Sequence, residues 1–317
     1  MGNFPDLSGK KVLVTGASGF IGSHLCLRLA KERGEIHAVS RQDRSAENEN
    51  IRWLRADLLD LSSARGILSS VKPDIIFHLS GFAWGARDVK LVIPTFHGNV
   101  VTTVNLLAAA AEAGCGRIVL AGSLEEPAGD SGEPIPNSPY AAAKWACSTY
   151  GRMFKELFQL PVVIARIFMT YGPGQHPNKV VSYCIRSFLK GEQPSFHSSE
   201  RKVDWIYIDD VVSGLIASSK ASDLEGHTVD IGSGSLVSIR SLVETIVSIL
   251  EPNVQPRFGV CPARSREVVR VADTSRSYEL MHWKPETPLE VGLRKFAGWI
   301  KKDMAQGTMQ SGTSIII

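Results

Sequence analysis

A glycine-rich turn between a strand and a helix constrains the fold of this chain more than any other feature. The apolar segment 11–14 predicts a short buried strand, and the segment 15–22 (TGASGFIG) follows it directly, before a helical pattern begins. Glycines at such a junction allow a tight bend, backbone approach to a pyrophosphate and close helix packing, while the helix N-terminus adds amide donors. The turn therefore predicts a dinucleotide site, with cofactor contacts at Gly16, Ser18, Gly19, Phe20, Ile21 and Gly22.

Strand and helix patterns alternate along the first half of the chain. Apolar strand-like runs at 75–79, 118–120 and 162–164 are separated by helical patterns at 100–113 and around residue 140. This alternation predicts an α/β fold built on a doubly wound parallel (Rossmann) sheet with helices on both faces.

The pattern loosens after about residue 170, where prolines and glycines indicate loops. We expect a dinucleotide-binding Rossmann domain over 1–170 and a smaller, mainly substrate-binding C-terminal region over 171–317. Part of that region, about 205–235, is expected to return to the main sheet.

The residues after the second predicted strand bear on the choice of cofactor. A carboxylate at this place suits the ribose hydroxyls of NAD, but Ser40 and Arg41 stand here, with Arg44 nearby. A hydroxyl and a guanidinium suit a 2′-phosphate, so we expect NADP. Asp43 is close enough to keep NAD open.

Composition sets the broad class. With 317 residues, 44% hydrophobic and 21% charged, the chain matches a soluble globular protein of one or two domains. A net charge of +3 without a long basic run gives no reason to expect nucleic acid. The five cysteines are widely spaced and predict neither a metal site nor a disulfide framework. No apolar run reaches transmembrane length, so we expect a cytoplasmic protein that does not bind a membrane.

Tyr140 and Lys144 are candidates for proton transfer. They stand four residues apart on a predicted helix, about one turn, so the phenol and the ammonium share a helix face. A nearby cation favours the phenolate form. The pair can therefore exchange a proton with a substrate hydroxyl, although the spacing alone is common by chance.

Together, the glycine turn, Ser123, Tyr140 and Lys144 resemble the extended short-chain dehydrogenase/reductase family, in its branch of nucleotide-sugar epimerases, dehydratases and reductases. The resemblance extends over nearly the whole chain, through segments such as 171–175 and 204–211. It implies that Ser123 bonds the substrate oxygen and that Tyr140 moves its proton. It also implies that Lys144 binds the nicotinamide ribose, and that further cofactor contacts come from Asp57, Leu58, Leu79, Ser80 and Gly81.

Glu125 is the candidate that separates the possible reactions. Dehydratases of the family resemble Thr-Asp-Glu or Thr-Ser-Glu at this place, with the glutamate acting as a base. Here Ser123-Leu124-Glu125 keeps that glutamate, but Leu124 replaces the acid of one dehydratase branch. The neighbouring Glu126 makes the run similar to 4-keto-6-deoxy sugar-nucleotide reductases, and a solvated acidic loop is the alternative.

Two positions depart from the family pattern for holding the nucleotide. Met169 stands where an asparagine is frequent, and Val203 where an arginine is frequent. Substitute contacts to the diphosphate are expected from Arg201, Arg264 and Arg266, whose forked guanidinium groups suit that task.

The first functional expectation is an NADP-dependent 4-ketoreductase acting at C4 of a nucleotide-linked hexose. A 4,6-dehydratase or 4-epimerase that recycles NAD(P) internally is the alternative, as is a non-sugar carbonyl reductase of the same fold. A cofactor-binding protein without turnover is a different class, and the intact serine, tyrosine and lysine argue against it. The nucleotide base and the sugar stay open.

The resemblance also implies a homodimer. Two helices from each chain, 99–113 and 140–158, would form a four-helix interface with the partner's copies. Phe154 and Leu157 are the expected apolar contacts.

Overall fold

The computed structural model describes residues 7–45, 48–127, 133–196, 199–259 and 268–306. The chain divides into two compact units. The first unit comprises Met1–Ile167, Val212–Ile231 and Ser275–Lys284. The second unit comprises Phe168–Val211, Gly232–Thr274 and Pro285–Ile317.

The strands and helices of the described residues follow in chain order. The strands are β1 (Lys11–Thr15), β2 (Glu35–Ser40), β3 (Ile51–Arg55), β4 (Ile75–His78), β5 (Arg117–Ser123), β6 (Val162–Ile167), β7 (Met169–Tyr171), β8 (Ser195–Phe196), β9 (Lys202–Tyr207), β10 (Thr228–Ile231), β11 (Leu236–Ser238) and β12 (Arg257–Phe258). The helices are α1 (Phe20–Lys31), α2 (Leu61–Val71), α3 (Val92–Thr95), α4 (Thr102–Ala113), α5 (Pro139–Phe158), α6 (Val180–Leu189), α7 (Ile208–Lys220), α8 (Ile239–Leu250), α9 (Thr274–Met281) and α10 (Leu289–Gln306).

A seven-stranded parallel sheet forms the first unit, in the order β10-β6-β5-β4-β1-β2-β3. The order reverses between β1 and β4, which defines the switch point where ligands bind at the carboxyl ends of such strands. The α/β doubly wound fold predicted from the alternation is confirmed.

One hydrophobic core of the first unit lies between the sheet and the helices α2, α4 and α5. Each large apolar side chain fully buried there contributes roughly 1.5–3 kcal/mol. The core includes Leu13, Ile76, Ile118, Val162 and Ile164 from the strands and Leu68, Leu106, Leu107 and Phe154 from the helices.

Phe154 corrects the expected dimer contacts. Its side chain is only 7% exposed and packs in this core, so the expectation of an exposed Phe154 is wrong. Leu157, three residues further along α5, is 66% exposed. Helical spacing could not tell which of the two faces the sheet, because both flank the apolar stripe of α5.

Local signals explain where α5 begins. The Ser138 hydroxyl oxygen accepts a hydrogen bond from the Ala141 N–H at 3.1 Å, and Pro139 occupies the first helical turn. Tyr140 and Lys144 therefore lie in the first two turns of a 20-residue helix that is fixed at its N-terminus.

Two small sheets and the hydrogen bonds of a buried carboxylate organise the second unit. The strands β11, β9 and β7 form one sheet, and β8 pairs with β12. The buried Asp204 carboxylate accepts backbone hydrogen bonds from Ser233 at 2.6 Å, Gly234 at 3.0 Å and Ala272 at 3.0 Å. Asp204 thus joins β9 to two loops.

One helical run, Val89–Ala113, is long and apolar enough to cross a membrane by length and composition, with a hydropathy of 1.3. It packs against α2 and α5, and 39% of its most apolar 18-residue stretch is buried. A core helix of a soluble protein meets the same criteria, so the run does not by itself indicate a membrane span.

Candidate active site

The glycine turn packs directly against the segment that follows β4. Gly16 has φ +67°, and a Cβ built there would lie 2.7 Å from the Leu79 carbonyl carbon and 2.7 Å from the Ser80 nitrogen. A Cβ on Gly22 would lie 2.8 Å from the Ala17 Cα. Side chains are therefore excluded at both glycines, and the turn lies in contact with Leu79 and Ser80.

The N-terminus of α1 is available for a phosphate group. Gly19 caps this helix without a side-chain hydrogen bond to its first turn. Ser18 and Gly19 are exposed. Amide donors of the first turn, with the positive end of the helix dipole, suit a pyrophosphate. The residues present therefore fit the diphosphate of a nicotinamide dinucleotide.

The end of β2 presents a cation rather than a carboxylate. Ser40 is buried, and its hydroxyl accepts a hydrogen bond from the Gln42 N–H at 3.2 Å. Arg41 follows and is exposed. Asp43, the carboxylate that could suit NAD, is paired with Arg55 at 2.9 Å.

The predicted adenine contacts have different surroundings. Leu58 is buried in the core beside α2, with 5% exposure, whereas Asp57 is exposed. The Asp57 carboxylate accepts a hydrogen bond from the Leu59 N–H at 3.1 Å, and the Asn105 amide donates to the Leu58 carbonyl at 2.9 Å. These bonds fix the loop after β3.

Ser123 ends β5 at the carboxyl edge of the sheet, where a tight turn begins. Its hydroxyl oxygen accepts a hydrogen bond from the Glu125 N–H at 3.2 Å. Its carbonyl accepts one from the Glu126 N–H at 3.1 Å. Leu124 is 5% exposed, and its N–H donates to the Ile167 carbonyl at 3.1 Å. The Leu124 side chain is therefore part of the protein interior.

The Lys144 side chain lies between the end of β5 and the segment 79–81, which contacts the glycine turn. Its ammonium donates a hydrogen bond to the Ala121 carbonyl at 2.9 Å, and Lys144 as a whole is 8% exposed. A Cβ built on Gly81 would lie 3.7 Å from Nζ of Lys144. The predicted cofactor segment 79–81 and the predicted catalytic lysine are thus brought together.

The two glutamates after Ser123 occupy different environments. Glu125 is partly buried, and the Asn137 amide donates to its carboxylate at 3.1 Å. Glu126 is 5% exposed, and its carboxylate accepts the Ser123 N–H at 2.7 Å. Burial raises the pKa of Glu126, and the bond from Ser123 opposes that effect.

His78 is a polar residue near the site that sequence reasoning missed. Its ring is 2% exposed, with Nδ1 at 2.7 Å from the Thr15 hydroxyl and Nε2 at 3.0 Å from the Thr103 hydroxyl. Burial, followed by the charge of Lys144, lowers the pKa of His78 to about 3. The sequence feature that could have indicated His78 is its position as a histidine at the end of an apolar strand.

Asn99 is a second missed residue, and it lies in a π-helical turn, Phe96–Val101. Its amide donates to the carbonyls of Thr95 at 2.9 Å and Phe82 at 3.2 Å. Its Oδ1 would be 2.6 Å from a Cβ on Gly81 and has no hydrogen-bond partner among the described residues. A widened helical turn has no clear sequence signature.

One predicted substrate arginine, Arg201, lies in the described part of the second unit. Arg201 is partly buried just before β9, and its carbonyl accepts the Ile239 N–H at 3.0 Å. Val203 is 5% exposed in β9, so an apolar side chain fits the environment of that position. Arg264 and Arg266 lie outside the described residues. Among the described residues no cluster of metal-ligating side chains occurs.

A glycine turn at the sheet's switch point, with Ser123 and Lys144 at the same sheet edge, is typical of dinucleotide-binding proteins of the Rossmann class. The chain belongs to the NAD dependent epimerase/dehydratase family, whose sequence model matches residues 12–232. It is accordingly an NAD(P)-dependent enzyme.

Relatives cover almost the whole chain. A UDP-glucose 4-epimerase of Mycolicibacterium smegmatis is 32% identical, over 90% of this chain and 96% of its own length. A dTDP-D-glucose 4,6-dehydratase of Mus musculus is 24% identical, over 94% of this chain and 91% of its own length. One solved structure is that of a UDP-glucuronic acid 4-epimerase variant of Bacillus cereus in complex with a fluorinated UDP-sugar and NAD. It is 25% identical, has a TM-score of 0.82, and covers 92% of this chain and 99% of its own.

Proposed function

We propose that this protein is a nucleotide-sugar 4-epimerase that recycles its nicotinamide cofactor within each turnover. The observation that carries the proposal is the sheet edge where Ser123 ends β5 and the Lys144 ammonium binds the carbonyl of Ala121, beside the Gly81 segment. Relatives that act as 4-epimerases support it. The expected 4-ketoreductase is not confirmed, and the relatives favour its alternative.

Ser123 is suited to donate a hydrogen bond to the substrate oxygen at C4. A serine hydroxyl has one proton to donate and can accept two hydrogen bonds. The Glu125 N–H already occupies one acceptor position of Ser123 at 3.2 Å. The proton of the hydroxyl therefore remains for the substrate.

Tyr140 and Lys144 perform the proton transfer in this proposal. Tyr140 lies one helical turn before Lys144 in α5, and its phenolate would accept the C4 hydroxyl proton as the hydride leaves C4 and return that proton to the oxygen when the hydride comes back. Lys144, which is buried, supplies a positive charge one helical turn further along. A bound nicotinamide would take up and return the hydride at C4.

One branch of the dehydratases uses an acid that this site does not place. The residue at the position of that acid is Leu124, which is buried and cannot donate a proton. Glu125 can still act as a base, because its carboxylate is partly buried and oriented by Asn137. A 4-epimerase needs neither group, since inversion uses only Ser123, Tyr140 and Lys144.

The 4-ketoreductase is the second candidate, and the end of β2 favours it. Arg41 is exposed there, and Asp43 is engaged with Arg55. We infer that Arg41 binds the 2′-phosphate of NADP, whereas NAD is the alternative. A reductase draws on exchangeable NADPH, so a preference for NADP is what its chemistry needs.

We infer a homodimer through the helical run Val89–Ala113 and α5. The exposed apolar side chains on these elements are Val89, Val92, Ile93, Phe96, Tyr150, Leu157 and Phe158. A partner's copy of the same surface would cover them. Light scattering should give twice the chain mass, and a monomer at every working concentration would contradict the interface. We expect the dimer to be cytoplasmic.

The substrate class is tested by mass spectrometry of ligands released from the purified protein. We expect a nicotinamide dinucleotide and a nucleotide hexose, the latter as a pair of C4 epimers after incubation. A reductase would instead oxidise NADPH in proportion to a supplied 4-keto nucleotide sugar. Release of a ligand without a nucleotide-linked sugar, with no turnover of one, would contradict both candidates.

A further inference from the structure

We propose that Glu126 is the positioning residue that holds Ser123 in its reactive orientation. This inference rests on the proposed function for the role of Ser123, but its structural part can be tested without a substrate. Sequence reasoning favoured Glu125 of the two glutamates, because it stands two residues from Ser123. The structure gives the direct contact with the Ser123 backbone to Glu126.

The segment from Ser123 to Glu126 contains one half of a capping box, without a helix; the Ser123 hydroxyl accepts the Glu125 N–H rather than the Glu126 N–H. In a capping box a serine is followed three residues later by a glutamate, whose carboxylate accepts the serine N–H. Here Glu126 accepts the Ser123 N–H at 2.7 Å and returns its own N–H to the Ser123 carbonyl at 3.1 Å. A tight turn follows β5 instead of a helix. The motif therefore fixes one residue, Ser123, rather than starting a helix.

The carboxylate is held inside the protein. Glu126 is 5% exposed, and a Cβ on Gly122 would lie 2.9 Å from its Oε1, so the absence of a side chain at Gly122 makes room for it. The titratable groups acting on it electrostatically are Lys144 and the Cys147 thiol from α5 and Arg166 from β6. Arg166 is itself paired with Asp230 at 3.1 Å.

Two bonds therefore decide where the Ser123 hydroxyl lies. The bond to Glu126 holds the backbone N–H of Ser123. The bond from the Glu125 N–H then holds the hydroxyl oxygen of Ser123. Loss of the carboxylate would leave a buried N–H without its acceptor, and the turn would have to rearrange. Glu126 would thus affect turnover through Ser123, without touching the substrate.

The test compares three variants of the full-length protein. Glu126→Leu removes the acceptor at similar volume, and Glu126→Gln keeps an acceptor oxygen. Asp74→Ala is the matched control, because the Asp74 carboxylate accepts a backbone N–H from Lys11 at 2.8 Å at the opposite edge of the same sheet. The readouts are kcat and KM on the nucleotide sugar, and the amide signal of Ser123 in protein labelled with ¹⁵N-serine.

We expect Glu126→Leu to lower kcat about 10- to 100-fold with a small change in KM, as for the loss of a charge-assisted hydrogen bond. Glu126→Gln should keep kcat within about threefold, and Asp74→Ala should keep the wild-type kcat. Wild-type kcat in Glu126→Leu, or an equal loss in Asp74→Ala, would overturn the proposal.

The amide signal decides the matter if Glu126→Leu does not fold or no substrate is turned over. A short bond to a carboxylate shifts an amide proton downfield, so the Ser123 signal should move upfield in Glu126→Gln. An unchanged Ser123 signal would overturn the positioning role, whatever the reaction proves to be. A shifted signal in a protein inactive on every nucleotide sugar would instead refute the proposed function alone.

Discussion

Protonation of the buried His78 should weaken this fold in mild acid. Its ring bonds the hydroxyls of Thr15 and Thr103 and is 2% exposed. Burial first, and the Lys144 charge second, lower its pKa from 6.5 to about 3. A histidine with a lowered folded pKa stabilises the fold above the unfolded pKa. That stability is lost as the pH falls through 6.5 toward 3.

The magnitude follows from linkage. With a pKa of 6.5 in the unfolded chain and about 3 in the folded one, the loss between about pH 8 and about pH 4.5 is about 2–3 kcal/mol. His78→Asn keeps a partner for one threonine but cannot titrate. At about pH 8 the variant should be less stable by about 1–3 kcal/mol, through the lost bond and volume.

The assay is guanidinium unfolding of both proteins between about pH 8 and about pH 4.5. The difference in unfolding free energy between them should change by about 2–3 kcal/mol in favour of the variant, whereas carboxylates that titrate in both proteins cancel in the difference. The exposed His227→Gln serves as the control and should keep the wild-type pH dependence. Parallel stability curves for the wild type and His78→Asn would refute the reasoning.

Three further predictions concern the chemistry. Tyr140→Phe should lower turnover about 100- to 10,000-fold with cofactor binding nearly intact, and retention of more than about a tenth of the activity would exclude Tyr140 as the acid/base. Arg41→Asp should shift the ratio of NADP to NAD affinity toward NAD, and titration that gives an unchanged ratio would exclude Arg41 as the phosphate contact. Glu125→Gln should lower epimerisation only modestly; a variant that still reduces its cofactor on a nucleotide hexose but no longer loses water would indicate a dehydratase.

The local signals of the sequence predicted the sheet and the glycine turn well. The strand β1, the turn and α1 carry their pattern within about 20 contiguous residues, and the spacing of Tyr140 and Lys144 needs only helical geometry. The predicted strand at 118–120 extends to Ser123 in the structure, because glycine and alanine within β5 hide its end from an apolar pattern.

Features that depend on side-chain packing could not be predicted in this way. The buried position of Glu126 requires the space beside Gly122, which neither residue shows in the sequence. The burial of Phe154 depends on how α5 packs against β5 and β6. Asn99 lies in a π-helical turn, where the helical period used for prediction does not hold. Each of these features arises from contacts between distant segments.

The fate of the hydrogen at C4 tests the proposed epimerase most directly. UDP-, dTDP- and GDP-linked hexoses that carry deuterium at C4 are incubated with the protein and catalytic NAD or NADP, and are then followed by nuclear magnetic resonance and cofactor absorbance. We predict that the C4 epimer of at least one of them forms with its deuterium retained and without net cofactor consumption. Loss of water with solvent hydrogen entering beside the keto group, or no C4 epimer from any of them while NADPH reduces a 4-keto sugar, would contradict it.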